Sequence, residues 1–253
     1  MMSKKFRLIP SVLYREGSVV KSVNFDNFRV VGDLPSTMRV FSRRQADELI
    51  ICDLDASLSR KINWDMVATC VENSNMPLTY AGGVENSDTA LKLIATGFDK
   101  ICVNSIIYED PNSVYEIAKS IGSSSTMASI DIVRDKSNVF IYSNCGSKFI
   151  RELDIYSEIK FLENIGVGEV TINCIDRDGV MNGYDFFGIE FDESLAKLPI
   201  LISGGCSGSS CVKAAFERGF DGAVMSSIFL WKGDSIPSLK RELRDEIPVR
   251  EVI

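Results

Sequence analysis

Residues 82–106 recur, at a fixed offset of 122, as residues 204–228. Gly82, Gly83, Ser87, Gly97, Phe98, Asp99, Ser105 and Ile106 of the first copy are matched by Gly204, Gly205, Ser209, Gly219, Phe220, Asp221, Ser227 and Ile228 of the second. Eight identities in twenty-five positions share one register through the length of a helix, which points to a duplicated half-length unit. The alternative is two unrelated turns that both use Gly-Gly. Each copy reads apolar strand, Gly-Gly, polar cap, amphipathic helix, Gly-Phe-Asp, apolar strand and a small polar residue, which is a βαβ unit.

Short apolar runs alternate with longer amphipathic stretches along the whole chain. They predict strands near 6–13, 48–54, 78–82, 100–104, 126–132, 169–175, 200–203 and 222–226. Helices are expected near 36–45, 62–74, 87–97, 111–121, 152–165, 187–197, 209–218 and 236–245. Eight βα units with a twofold repeat favour an α/β fold closed as a (β/α)8 TIM barrel over an open doubly wound sheet. The 253 residues, 45% of them hydrophobic, suffice for one large core. The expectation is one domain over 1–253, with half-barrels at about 1–122 and 123–253. A further short strand near 139–143 would form a ribbon with the end of the fifth strand. Residues 14–34, which carry Lys21 and Arg29, form a long loop over the catalytic face, or else a solvated hairpin.

The chain contains no histidine, so no Ser-His-Asp triad, Cys-His dyad or His-ligated zinc site can be built from it. Seven cysteines show no close metal-binding spacing and are expected to be buried free thiols. Neither a metal nor another cofactor is expected. A net charge of −7 disfavours nucleic acid and anionic membrane as partners, and no segment reads as a signal peptide or membrane span, so a cytoplasmic location is expected.

Two phosphate sites follow from the repeat. Gly82, Gly83, Asn104 and Ser105 end strands three and four, and Gly204, Gly205, Ser226 and Ser227 end strands seven and eight. Glycine lets backbone N–H groups approach phosphate oxygens, and a following helix start adds partial positive charge. Tight strand-to-helix packing is the other use of such glycines. Carboxylates gather at the same strand ends: Asp53, Asp55, Asp131, Asp176 and Asp178. Asp131 closes the apolar run Met-Ala-Ser-Ile, where a carboxylate would face the barrel mouth and act as general acid or base.

The chain resembles, over essentially its whole length, the cyclase subunit of imidazole glycerol phosphate synthase. The resemblance is carried by Arg-Leu-Ile-Pro at 7–10, Val-Val-Lys-Ser-Val-Asn-Phe-Asp-Asn at 19–27, Asp-Glu-Leu at 47–49, Gly-Phe-Asp-Lys at 97–100, and Ile-Asp-Arg-Asp-Gly through Gly-Tyr-Asp at 175–185. It implies a barrel that takes ammonia from a separate glutaminase subunit and, in histidine biosynthesis, cleaves a doubly phosphorylated ribulosyl substrate. It also implies substrate and phosphate contacts at Lys21, Gly83, Asn104, Ser105, Asp178, Gly179, Gly205 and Ser227. Of the two aspartates the family uses, Asp131 matches one, and Leu13 stands where the other is expected. Leucine transfers no proton, so ordinary cyclase turnover does not carry over unless water, Tyr14 or Glu16 substitutes.

The family's ring of charges at the opposite barrel end, implied to gate ammonia entry, is matched by Arg7, Glu48, Lys100 and Glu169. Solvated strand-start charges are the plainer alternative. Leu13, Asp55 and Asn173 together are similar to a divergent branch associated with sugar amidination in surface-polysaccharide synthesis. There the ammonia passes to a separate sugar-modifying amidotransferase. Three functions stay open: this ammonia-conducting paralogue, a working cyclase, and a scaffold that binds a phosphorylated metabolite.

Overall fold

The computed structural model describes residues 5–187, 197–231 and 235–250. Eight strands form the barrel: β1 (Arg7–Arg15), β2 (Leu49–Asp53), β3 (Leu78–Ala81), β4 (Lys100–Val103), β5 (Thr126–Asp135), β6 (Glu169–Cys174), β7 (Ile200–Ser203) and β8 (Gly222–Met225). Each pairs in parallel with the next, and β8 closes on β1 with Val224 opposite Ile9. The expected (β/α)8 barrel is therefore closed. Strand alternation sorts its side chains. Along β1, Leu8, Val12 and Tyr14 join the core between barrel and helices, while Ile9 joins a separate apolar cluster inside the barrel.

The repeat coincides residue for residue with the elements. Shifting β3 and β4 by 122 gives β7 and β8, and the helices Ser87–Thr96 and Ser209–Glu217 start at equivalent positions. The recurring Gly-Phe-Asp acquires a physical reason. Each Phe is buried, and each Asp caps the first amide of the preceding strand, Asp99 Oδ2 accepting from Leu78 N at 2.9 Å and Asp221 Oδ2 from Ile200 N at 2.8 Å. A strand-start amide buried in this way would otherwise lack a partner.

Several boundaries differ from the sequence expectation. Residues 14–34 are no open loop: β1 continues to Arg15, and Ser18–Val23 and Asp26–Gly32 add an antiparallel ribbon to it. The first helix, Leu34–Arg43, starts two residues early because Asp33 caps it, accepting from Ser36 N at 2.9 Å. The ribbon expected near 139–143 is present as Asn138–Ser143, antiparallel to β5, and carries a further strand, Lys148–Glu152. That strand delays the next helix to Ile155–Asn164, capped by Asp154. Three short helices, Leu54–Ser59, Ile106–Glu109 and Ser227–Trp231, follow β2, β4 and β8 and are too short to show a helical period in the sequence. The helix expected near 187–197 falls on residues 188–196, outside the described residues. No helix among the described residues is long and apolar enough to cross a membrane.

Candidate functional site

The C-terminal ends of the strands surround a cavity of about 300 Å³ lined by groups from both half-barrels. On its wall Asp131 accepts hydrogen bonds from Asn173 Nδ2 at 3.0 Å and Asn104 Nδ2 at 3.1 Å. Strand pairing dictates the first of these, because Asn173 lies directly opposite Asp131 in the β5–β6 ladder. Burial pushes the Asp131 carboxyl up to about 6, against the pull of its two amide donors and with help from the Asp178 charge. A carboxyl poised there can both take and return a proton near neutral pH.

Leu13 lines the same cavity, in register with Cys52 of β2. Neither side chain that could replace an acid at Leu13 is placed to act there. Tyr14 alternates to the outer face of β1, where burial first, then the charges of Asp53 and Asp55, push its phenol up. Glu16 is exposed at the ribbon turn and pairs with Arg15. Three of the five strand-end carboxylates are structural. Asp53 caps Leu54–Ser59 and accepts from Tyr80 Oη at 3.0 Å, Asp55 accepts from Glu16 N at 2.7 Å, and Asp176 from Arg134 N at 2.8 Å.

The first expected phosphate set, Gly82, Gly83, Asn104 and Ser105, does line the large cavity. Asn104 and Ser105 are nevertheless engaged with protein: Asn104 Nδ2 also donates to Ser129 O at 2.9 Å, and Ser105 Oγ accepts from Asn144 N at 3.0 Å. The second set, Asp178, Gly179, Gly204, Gly205, Ser226 and Ser227, surrounds a smaller cavity of about 20 Å³. Ser226 Oγ is directed to the Ser11 carbonyl. Close packing accounts for the glycines as well. A Cβ on Gly82 would stand 2.4 Å from Asp53 O, and one on Gly204 2.3 Å from Cys174 O. Tight strand-to-helix packing, the alternative use of Gly-Gly, is thus present at both loops.

Lys21 lies outside both cavity walls, buried to 4% exposure in the ribbon. Its side chain forms no ion pair or hydrogen bond with the described residues, and burial lowers its pKa although the charge of Asp178 opposes that. Burial raises Asp178 in turn, offset by Lys21 and by Ser22 Oγ, which donates to it at 3.3 Å. The ribbon thus brings a cation close to the acid of the second site without pairing them.

At the opposite end the four expected ring residues meet. Lys100 Nζ stands 2.9 Å from Glu48 Oε2 and 2.5 Å from Glu169 Oε2, and Arg7 pairs with the same two carboxylates. Thr79 Oγ1 donates to Glu48 Oε1 at 2.5 Å. Signs alternate around a closed ring. Burial alone would raise Glu169, yet Arg7 and Lys100 outweigh it and hold the carboxyl below its usual value.

Arg15 and Arg60 also line the large cavity, and the sequence reading missed both. For Arg15 a signal existed: counting by two from Arg7 along an uninterrupted β1 reaches it on the inward face. Arg60 offered none, because it ends the unexpected helix Leu54–Ser59 in a left-handed conformation. It is held there by Glu85 at 3.6 Å and Glu109 at 3.2 Å. Of the seven cysteines, all free, Cys145 is exposed and Cys52 and Cys211 are half-buried, so the expectation of buried thiols fits the other four. No cluster of three or more metal-binding side chains occurs among the described residues.

The profile of the family described as histidine biosynthesis protein matches residues 7–234. The imidazole glycerol phosphate synthase subunit hisF1 of Campylobacter jejuni subsp. jejuni serotype O:2 (strain ATCC 700819 / NCTC 11168) is 31% identical over 245 residues, covering 95% of this chain and 96% of that protein. The protein designated hisF2 in the same strain is 34% identical over 241 residues, 94% of this chain and 95% of its own length. The imidazole glycerol phosphate synthase subunit HisF of Methanococcus vannielii is 31% identical over 267 residues, covering 96% and 98%.

Proposed function

This chain belongs to the histidine biosynthesis protein family, as a barrel of the imidazole glycerol phosphate synthase cyclase type, and on that premise we propose that it accepts ammonia from a partner glutaminase without completing cyclase turnover itself. The observation that carries the proposal is the contrast between Leu13 and the ring. A side chain that cannot move a proton faces the Asp131 cavity, while all four ring charges are in place. Losing one general acid or base of ordinary strength costs about 10²–10⁴ in rate, or roughly 3–5 kcal/mol of barrier.

In this proposal the glutaminase docks on the N-terminal barrel face, and Arg7, Glu48, Lys100 and Glu169 gate the entry of ammonia. A phosphorylated ligand occupies the mouth, held by Gly82, Gly83, Asn104 and Ser105 at one end. Asp178, Gly179, Gly204, Gly205, Ser226 and Ser227 hold the other, with Lys21 supplying positive charge behind them. Asp131 remains able to shuttle one proton. The acceptor is a sugar-modifying amidotransferase of surface-polysaccharide synthesis, and a barrel of this type in duplicate, as hisF1 and hisF2 occur in one Campylobacter strain, fits such a division of labour.

Co-expression with each glutaminase of the same organism, followed by gel filtration and a glutaminase assay, tests the pairing. Failure of every one to bind or be stimulated rejects it. Supplying the histidine-pathway ribulosyl substrate with excess ammonium tests the chemistry. Negligible turnover, raised by Leu13→Asp, is expected, and turnover at the level of an ordinary cyclase returns the chain to histidine biosynthesis.

A further inference from the structure

One level above the charged ring, the barrel interior is filled by an apolar collar of Ile9, Ile50, Cys102, Met127, Leu201 and Val224. Cys102 adds no charge, because burial keeps its thiol protonated. Into this level β6 contributes Thr171, which is 4% exposed and whose Oγ1 has no hydrogen-bond partner. The same residue lines the floor of the mouth cavity beside Cys102 and Met127.

Alternation along β6 places Glu169, Thr171 and Asn173 on one inward face. At about 3.3 Å of rise per residue, successive members of that row stand roughly 6–7 Å apart. Glu169 belongs to the ring, and Asn173 holds Asp131. Thr171 is thus a lone hydroxyl midway between the charged entrance and the carboxyl at the mouth. Threonine gains nothing here that an isosteric valine would not supply, unless something else completes its hydrogen bonding.

We infer that Thr171 is an intermediate binding station for uncharged ammonia on its way through the barrel, an inference that rests on the proposed ammonia-accepting role. The hydroxyl can accept an N–H from ammonia and donate to its lone pair. The collar admits the neutral molecule and rejects ammonium, whose charge would be stripped of water there.

Soaking crystals of the intact protein in hydroxylamine near neutral pH, where this small amine is uncharged, tests the station without any partner. The expected result is elongated density within hydrogen-bond distance of Thr171 Oγ1. The density should persist in Thr171→Ser and vanish in Thr171→Val, with the Asp131–Asn173 bond unchanged in each. A collar without hydroxylamine in the native protein, round density that it does not displace, or equal occupancy in Thr171→Val overturns the inference. Should Thr171→Val not fold, Thr171→Ala serves in its place.

Once a glutaminase and acceptor are identified, isotope-labelled glutamine supplies a second readout. Thr171→Val should lower glutamine-derived label in the acceptor several-fold more than it lowers the reaction with external ammonium, which enters at the mouth. Equal loss with both nitrogen sources overturns the relay. If hydroxylamine binds at Thr171 but no glutaminase pairs with the barrel, the small-amine site stands and the proposed role falls.

Discussion

The two ends of the barrel treat buried charge in opposite ways. At the N-terminal end two cations and two anions alternate, and each charge touches both neighbours of opposite sign. At the C-terminal end Lys21 has no ion pair with the described residues, and Asp131 is held by neutral amides alone. Desolvation is paid at both ends, but only the first recovers it inside the protein. In the proposed role, the end that leaves its charges incompletely met would meet them with a ligand, whereas a closed ring satisfies its own charges.

The largest expected effect comes from breaking the closed end. Glu169→Ala leaves Arg7 and Lys100 each with one partner in a buried setting, and removing one member of such a cluster costs about 3–5 kcal/mol. Urea unfolding should show the loss. A change below about 1 kcal/mol, the range of exposed pairs, would mean that the ring is solvated and that the contrast between the ends is false.

The opposite sign is expected at the mouth. Lys21→Met removes a buried cation that lacks a protein counter-ion and should stabilise the ligand-free protein by about 1–3 kcal/mol. Because the folded-state pKa of Lys21 is lowered, the unfolded state binds more protons, so its penalty is present at neutral pH and fades as pH rises. Inorganic phosphate or a bisphosphate should protect the native protein against heat, and the same variant should lose that protection. Destabilisation by Lys21→Met in the absence of ligand would show that the lysine is already satisfied.

Asp131 gives an effect of similar size with a defined pH window. Its folded-state pKa, about 6, lies above the ordinary carboxyl value, so the folded state holds the proton more tightly. Stability therefore falls as pH rises between about 4 and 6 and carries the full penalty above that, about 2–3 kcal/mol. Asp131→Asn lacks the titration. Relative to native protein it should be more stable at pH 7 than at pH 4 by that amount, as read from paired melting curves. Equal differences at both pH values would place Asp131 in contact with water.

Sequence made the barrel legible because its signals are periodic and repeated. The shift of 122 carries β3, β4 and the helix between them onto their copies, and Asp99 and Asp221 show why the pattern persists. The ring was legible through the family resemblance, which matched its four positions, and their place at strand starts agreed with one end of a closed barrel. The mouth was less so. Asp53, Asp55 and Asp176 read as candidates of the same kind as Asp131, and only the local caps and loop amides that they satisfy separate them. Lys21 was placed in a loop because Glu16-Gly17 and the polar residues after it hid two strands of a ribbon. Thr171 gave no signal at all, for a threonine inside a strand is unremarkable until its hydroxyl is found without a partner.

The smallest effect compares single thiols along the same axis. In the collar, burial raises the Cys102 thiol far above its usual value. Beside the Gly204-Gly205 loop, Cys211 lies in the first turn of Ser209–Glu217, and the neighbouring Cys206 thiol brings the Cys211 thiol down to about 5 against the effect of burial, with Ser207 Oγ 2.9 Å away. A thiolate there also benefits from the helix start. Cys145 is exposed, yet its thiol is raised, first by burial of the sulfur and then by the charge of Asp131. Exposure and acidity therefore predict different orders. Brief alkylation with iodoacetamide at neutral pH, read by peptide mass spectrometry, should modify Cys211 before Cys145 and leave Cys102 intact. Bound phosphate should slow the reaction at Cys211 if the second site takes an anion beside it. Modification of Cys145 first would mean that access outweighs thiolate formation, and that the Cys206–Cys211 contact does not hold a negative charge at the mouth.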